Sequence, residues 1–231
     1  MDIRILQLID GAKEAEGLTV IIDVFRAFSL ECYLYEKGVE CIIPIGNIED
    51  AYALKKENED RILVGERKGK KCEGFDYSNS PFQIKGVPLR GKIVIHTTSA
   101  GTQGITNAKK SSEIITGSLV NAKAIVEYIK MKNPDILSLV CMGNGGVCEA
   151  KEDTLCANYI KSILLSEDFD IENKVLLLRE DGGKHFFNPS NQDVFPEQDF
   201  WMCTKLNVFP FVLKVEKDEM ARNIIKKSIG K

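Results

Sequence analysis

The stretch LTVIIDVFRAFSLECYLYEKGVECIIPI, residues 18–45, decides the fold. It opens with an apolar, β-branched run (LTVIIDV, 18–24) and passes into AFSLECYLYEKG (27–38), whose apolar residues recur at three- and four-residue spacing. It closes on a second β-branched run, VECIIPI (39–45). The outer segments read as buried strands and the middle one as a helix. A strand, a helix and a strand in succession require a crossover, and crossovers build parallel sheets with helices packed on their faces. The alternation continues outward. RILVG (61–65), KIVIHTT (92–98), SEIITGS (112–118), DILSLVCMG (135–143) and FPFVLKV (209–215) read as strands, while NIEDAYALKKEN (47–58), NAKAIVEYIKMK (121–132) and AKEDTLCANYIKSILL (150–165) have helical spacing. The fold class is therefore α/β, a three-layer α/β/α arrangement on a largely parallel or mixed sheet. An antiparallel edge position suits FPFVLKV, because Pro210 has no N–H to give to a central ladder.

No fixed-period repeat and no Gly/Ser- or Pro-rich linker interrupts the chain, so residues 1–231 are expected to form a single domain. The 31 Lys and Arg nearly balance the 34 Asp and Glu, giving a formal charge of -3. A charge so close to zero argues against a nucleic-acid or anionic-membrane partner. At this length folding buries roughly 70% of the unfolded chain's surface, enough for a core without disulfides or metal staples. The seven cysteines are an odd number with no Cys-x-x-Cys pair. The first residues lack a basic signal-peptide start, and no run reaches the ~18 apolar residues of a membrane span. These features predict a reduced, cytoplasmic protein.

Two nucleotide patterns fail on inspection. GVPLRGKI (86–93) nearly spells a phosphate-binding loop, but Ile93 stands where a Ser or Thr must reach Mg²⁺, and its Lys opens a strand rather than a helix. GNGG (143–146) lacks the third glycine of a dinucleotide fingerprint, Cys148 standing in its place. It remains a tight turn after a strand.

Candidate chemistry gathers at strand ends, where open α/β sheets bind ligands. Asp23 leaves an apolar strand and Arg26 follows three residues later. Such an acid can hold a divalent cation or attack phosphorus, and the arginine fork can grip an anion. The plainer alternative is that Asp23 caps the next helix and pairs with Arg26. Phe25 occupies the place where a haloacid-dehalogenase-type site needs a second aspartate. Glu66 and Arg67 hold the equivalent station on RILVG, at the head of a long polar loop, GERKGKKCEGFDYSNSP (65–81), which ends on Asn79, Ser80 and Pro81. Loops of this length inside a compact fold are usually functional or mobile. In HTTSAGT (96–102) a strand turns into a helix, and the backbone amides there, with Thr97, Thr98, Ser99, Gly101 and Thr102, suit a phosphate or sulfonate. An ordinary helix cap is the competing explanation. Glu149, Glu152 and Asp153 cluster at a helix start, where the helix dipole alone accounts for them unless a third strand end contributes a metal ligand. His96 and His185 read as structural.

Taken in order, IDVFRAFS (22–29), GERKGKKCEGFDYSNSP, HTTSAGTQGITNA (96–108), ITGSLVNAKAI (115–125) and GNGG followed by KED (151–153) resemble the 2-phosphosulfolactate phosphatase family over most of the chain. The family more often has Leu-Arg-Ala-Thr after the first acid, where this chain has Phe25-Arg26-Ala27-Phe28, and Thr-Asn-Gly-Thr at the turn. The resemblance implies Mg²⁺-dependent hydrolysis of a small anionic phosphate ester to sulfolactate and phosphate, as in coenzyme M biosynthesis, and a homodimer is compatible with it. In that scheme Asp23, Glu66 and Asp153 hold or orient Mg²⁺. Asp23, Arg26, Glu66 and Arg67 are catalytic, and Thr97, Thr98, Ser99, Gly101, Thr102, Asn79 and Ser80 bind substrate. Both arginines are expected to grip the anion rather than shape the fold. A non-catalytic anion-binding module is the alternative from another class. It needs the amides and arginines but not several carboxylates.

Overall fold

The computed structural model describes residues 1–228. Residues 18–45 form strand β2 (Gly17–Ile22), helix α2 (Ala27–Glu36) and strand β3 (Cys41–Pro44). Around them lie β1 (Asp2–Gln7), α1 (Leu8–Glu14), α3 (Ile48–Glu57), β4 (Ile62–Arg67), β5 (Lys70–Lys71), β6 (Ile93–Thr97), α4 (Gly101–Asn107) and β7 (Ser111–Gly117). The chain continues with α5 (Ala122–Lys132), β8 (Ile136–Cys141), α6 (Lys151–Leu165), α7 (Ile171–Leu177), α8 (Glu197–Cys203), β9 (Val212–Lys217) and β10 (Asn223–Ser228).

The strand order is β1-β8-β2-β7-β9-β10-β3-β6-β4-β5. Two parallel wings, β1-β8-β2-β7 and β3-β6-β4, are joined by the antiparallel pair β9-β10. The crossover through α2 thus links the wings rather than two neighbouring strands. Its sequence explains why. AFSLECYLY is apolar on nearly every side, and a helix of that kind must be enclosed; Ala27 through Tyr35 are all buried. Alternation along the strands divides the core. Ile21 and Val140 of one wing and Ile42, Val64 and Val94 of the other turn inward onto α2, α1 and α4. Val20, Ile22, Leu137 and Leu139 face α5 and α6, and Ile43, Leu63 and Ile95 face α3. Residues of both wings pack on α2, and the carboxyl ends of both wings meet at one crevice. Close packing seals this arrangement: a Cβ on Gly104 of α4 would lie 2.6 Å from Ile21 Cγ2 and 2.5 Å from Met142 Sδ.

Three sequence expectations shift. The FPFVLKV strand is antiparallel but internal, paired to β7 and β10. Pro210 is no obstacle because pairing starts only at Val212. Strands β1 and β10 went unread because each mixes charged and apolar residues, DIRILQ and NIIKKS. Lastly, the 65–81 loop begins as a hairpin, with Glu66 and Arg67 opposite Lys71 and Lys70. All seven cysteines are free, and no described helix is long and apolar enough to cross a membrane.

Candidate active site

A cavity of about 430 Å³ opens where the carboxyl ends of β2, β4, β6 and β8 meet. Asp23, Glu66 and Glu152 bring carboxylates to its wall; Arg26 and Lys68 bring cations. Asn79, Thr98, Ser99, Ala100, Asn144 and Gly145 supply polar groups, and Phe25, His185 and Phe195 close one side.

Asp23 caps the next helix and also lines the cavity, and Arg26 pairs with Asp199 rather than with Asp23. Asp23 Oδ1 accepts the Ala27 N–H at 3.3 Å, capping α2, while Oδ2 lies 3.0 Å from where a Cβ on Gly101 would stand. Gly101 is therefore required by space, since a Cβ there would also lie 2.9 Å from Phe28 Cζ. Burial, reinforced by the negative charge of Asp153 and then of Glu66, drives the Asp23 carboxyl well above the ordinary range. Desolvation of this kind disfavours the anion unless a cation answers it. Asp153 stands behind, at the start of α6, and spans two strand ends: Oδ1 accepts the Val24 N–H and Oδ2 the Gly143 N–H, each at 2.8 Å. Burial and the Glu152 charge still raise it to about 8, against the pull of those amides. Glu152 is raised to about 7, chiefly by burial.

The second acid behaves differently. Glu66 Oε1 accepts the Ser99 N–H at 2.7 Å and Oε2 the Gly69 N–H at 2.6 Å, so it ties the hairpin turn to the turn after β6. The Ser99 amide is thus taken by protein, and within the turn the Thr98, Ala100 and Gly101 amides are without a protein partner among the described residues.

The arginines depart from expectation. Arg26 is buried and donates from Nη1 to Asp199 Oδ2 and Val194 O, both at 2.8 Å, and from Nη2 to Gly69 O at 3.2 Å. Its guanidinium also lies 4.8 Å from the Phe195 ring centre. Asp199 is fully buried and accepts from Ser80 Oγ and the Phe82 N–H as well. Arg26 is thus a cavity-wall cation fixed by the fold. Arg67 does not line the cavity; it donates to Glu66 O, Gly46 O and Thr97 Oγ1. Of the substrate-binding candidates, Asn79, Thr98 and Ser99 line the cavity, whereas Ser80 serves Asp199 and Thr97 serves Arg67. Thr102 bonds back to Thr98, and Gly101 is packed between Asp23 and Phe28.

Lys68 and Phe195 are not singled out as site residues by the sequence, which leaves Glu152, the GNGG turn and His185 open between structural and functional roles. Lys68 is an exposed cation at the hairpin turn, where φ is +55°, and its signal was drowned by the neighbouring Lys70 and Lys71. Gly69, at φ +80°, lets Phe195 approach so closely that a Cβ would lie 2.3 Å from its Cζ. His185 packs on Phe186 and Phe195, and burial, helped by the Arg26 charge, lowers its pKa so that the ring is neutral near pH 7.

The donor set facing the cavity is hard oxygen, which suits Mg²⁺ and not zinc or copper. No group of three His, Cys, Asp or Glu side chains among the described residues is assembled as a metal cage. Mg²⁺ commonly takes only one or two carboxylates and completes its shell with water and substrate phosphate. Asp23 and Glu152 fit that pattern, with Asp153 and Glu66 fixing the backbone beside them.

A family model for 2-phosphosulpholactate phosphatase matches residues 3–218. Similar proteins carry the name probable 2-phosphosulfolactate phosphatase. One from Thermoplasma volcanium is 32% identical over 209 residues, covering 90% of this chain and 94% of its own. Another from Caldicellulosiruptor saccharolyticus is 37% identical over 163 residues, 68% of this chain and 66% of its own. A third, from Bacillus subtilis, is 29% identical over 224 residues, 94% of this chain and 95% of its own. The acids and amides converging at the ends of two parallel wings belong to a member of the 2-phosphosulpholactate phosphatase family, a phosphoric monoester hydrolase.

Proposed function

We propose that this protein hydrolyses 2-phosphosulfolactate, or a similarly small phosphorylated hydroxy acid, to sulfolactate and phosphate with the help of Mg²⁺. One observation carries the reading: Asp23, a desolvated carboxylate with one oxygen uncommitted, faces the 98–101 turn inside a cavity that also holds Lys68. At about 430 Å³ the cavity is near the small end of ligand sites and suits a three-carbon substrate.

When bound, Mg²⁺ supplies Lewis-acid neutralisation of phosphoryl oxygens, and Asp23 with Glu152 would hold it. The chain's own groups do the rest. Asp23 presents Oδ2 toward the phosphoryl group, and the same oxygen serves whether Asp23 is a ligand or the nucleophile. The Ala100 and Gly101 amides donate to phosphoryl oxygens, where donors fixed in advance favour the charge of the transition state. Lys68 offers a mobile charge to the sulfonate or carboxylate, and Arg26 adds a fixed one. Phe25 and Phe195 exclude water from that side. A purely anion-binding role is not favoured, because it has no use for three buried carboxyls, Asp23, Glu152 and Asp153, gathered at one anion site. A cytoplasmic place in coenzyme M biosynthesis goes with this substrate.

The test is phosphate release from a panel of phosphorylated C3 hydroxy acids by EDTA-stripped protein, before and after Mg²⁺ is restored. The expected result is release only with Mg²⁺ and fastest from 2-phosphosulfolactate. Full activity in EDTA would overturn the metal assignment, and no release from any member would overturn the phosphatase assignment for this chain.

A further inference from the structure

Behind the cavity wall runs a buried polar chain that the scheme above does not use. His96, on β6, is completely buried; its Nδ1 lies 2.8 Å from Glu31 Oε1 and its Nε2 3.0 Å from Asn79 Oδ1. Glu31, on the enclosed helix α2, is also completely buried, and its Oε2 accepts the Thr116 hydroxyl at 3.4 Å. Asn79 is 3% exposed and lines the cavity.

Packing does not account for this chain, since a buried ion pair is commonly no better for stability than apolar residues of the same shape. Its consequence lies at Asn79. Both ring nitrogens face oxygens, an arrangement satisfied when both carry protons and the resulting imidazolium is balanced by the Glu31 carboxylate. An imidazolium takes the carbonyl end of the Asn79 amide and leaves the NH₂ end for the cavity. A neutral ring protonated toward Glu31 would instead offer a lone pair at Nε2, draw in the NH₂ and turn the carbonyl oxygen to the cavity. The first orientation attracts an oxyanion and the second repels it. The Asn79 NH₂ has no protein acceptor among the described residues.

We propose that Glu31 and His96 are positioning residues that lock the Asn79 amide with its NH₂ toward the cavity, making Asn79 a donor to a tetrahedral oxyanion of the substrate. The inference rests on the reading of the cavity as a phosphate-ester site. Its test is therefore separate from turnover: calorimetric titration of inorganic phosphate into Mg²⁺-loaded wild type, Glu31→Gln, Asn79→Ala and the double variant. Each single change is expected to weaken phosphate binding ~10-fold, about 1.4 kcal/mol, and the double variant to bind no worse than Asn79→Ala. Wild type that binds no phosphate, a Glu31→Gln affinity equal to wild type, or losses that multiply in the double variant would each overturn the proposal. Should Glu31→Gln fail to fold, Asn79→Asp serves in its place. It keeps an acceptor for His96 while removing the NH₂, so the thermal midpoint should hold and phosphate affinity should drop; an undiminished affinity contradicts the proposal. Nitrogen-15 NMR of His96 should show both ring nitrogens protonated, and a neutral tautomer contradicts it. Intact coupling in a protein that releases no phosphate from 2-phosphosulfolactate would remove the phosphatase reading and leave this one standing.

Discussion

At the end of β2, Asp23 keeps one carboxylate oxygen uncommitted in the cavity; at the end of β4, Glu66 gives one oxygen to Ser99 and the other to Gly69. The arginines that follow diverge in the same way. Arg26 is locked by buried Asp199 yet still lines the cavity, while Arg67 points at carbonyls outside it. Two acid–arginine pairs that are equivalent in sequence thus divide the work. The β2 pair faces the cavity, and the β4 pair, of which only Glu66 reaches the wall, braces the turns that carry Lys68 and the free amides. Hydrogen-bond satisfaction decides which is which. A carboxylate with both oxygens on amides is committed to structure, whereas one held against desolvation and like charge, as Asp23 is, is destabilised in a way that a bound cation would relieve.

The largest effect should come from Asp23→Asn. Turnover is expected to fall ~10³-fold or more, about 4 kcal/mol of transition-state stabilisation, while the thermal midpoint stays level or rises because a desolvated charge has gone. A steady-state assay beside a melting curve checks both. Next, Arg26→Ala leaves Asp199 buried without its partner and should cost about 3–5 kcal/mol of stability in a urea titration. A loss of activity with stability intact would return Arg26 to a purely substrate-gripping role. Glu66→Gln keeps the shape but leaves one acceptor oxygen for two N–H groups and sets its NH₂ against the Ser99 or Gly69 amide; a drop of ~10-fold in kcat/KM, about 1.4 kcal/mol, is expected.

The acids also predict a pH response. Asp153 and Glu152 are raised to about 8 and about 7 in the folded chain, from 3.8 and 4.5. The native state therefore binds more protons than the unfolded one between those limits, and stability falls as pH rises through that window. In EDTA the thermal midpoint should be higher at pH 5 than at pH 8, and Glu152→Gln should flatten the difference. Mg²⁺ should raise the midpoint more at pH 8 than at pH 5. The smallest effect belongs to Arg67→Lys, which loses hydrogen bonds to Gly46 and Thr97 worth about 1 kcal/mol in all, with kcat/KM nearly unchanged.

Much of this was legible in the sequence. The alternation of β-branched runs and helical spacing gave the α/β class, and strand-end position alone marked Asp23, Glu66 and the 96–102 turn. What the sequence did not disclose depends on partners distant in the chain. Arg26 meets Asp199 because α8 packs against α2, and Glu66 meets the Ser99 amide because β4 lies beside β6. The roles of Thr97, Ser80 and Arg67 follow from those same distant contacts. Lys68 and Glu152 resembled ordinary solvated charges, and His96 resembled a core histidine until its two acceptors were seen.

On the proposed function, the uncommitted carboxylate of Asp23 is expected to govern Mg²⁺-dependent phosphate release from 2-phosphosulfolactate. The direct measurement is phosphate release by EDTA-stripped wild type and Asp23→Asn as Mg²⁺ is titrated back. The account predicts that wild type recovers full activity while Asp23→Asn remains ~10³-fold slower at saturating Mg²⁺, with both proteins folded. Equal rates for the two proteins would contradict it, as would a wild type indifferent to Mg²⁺.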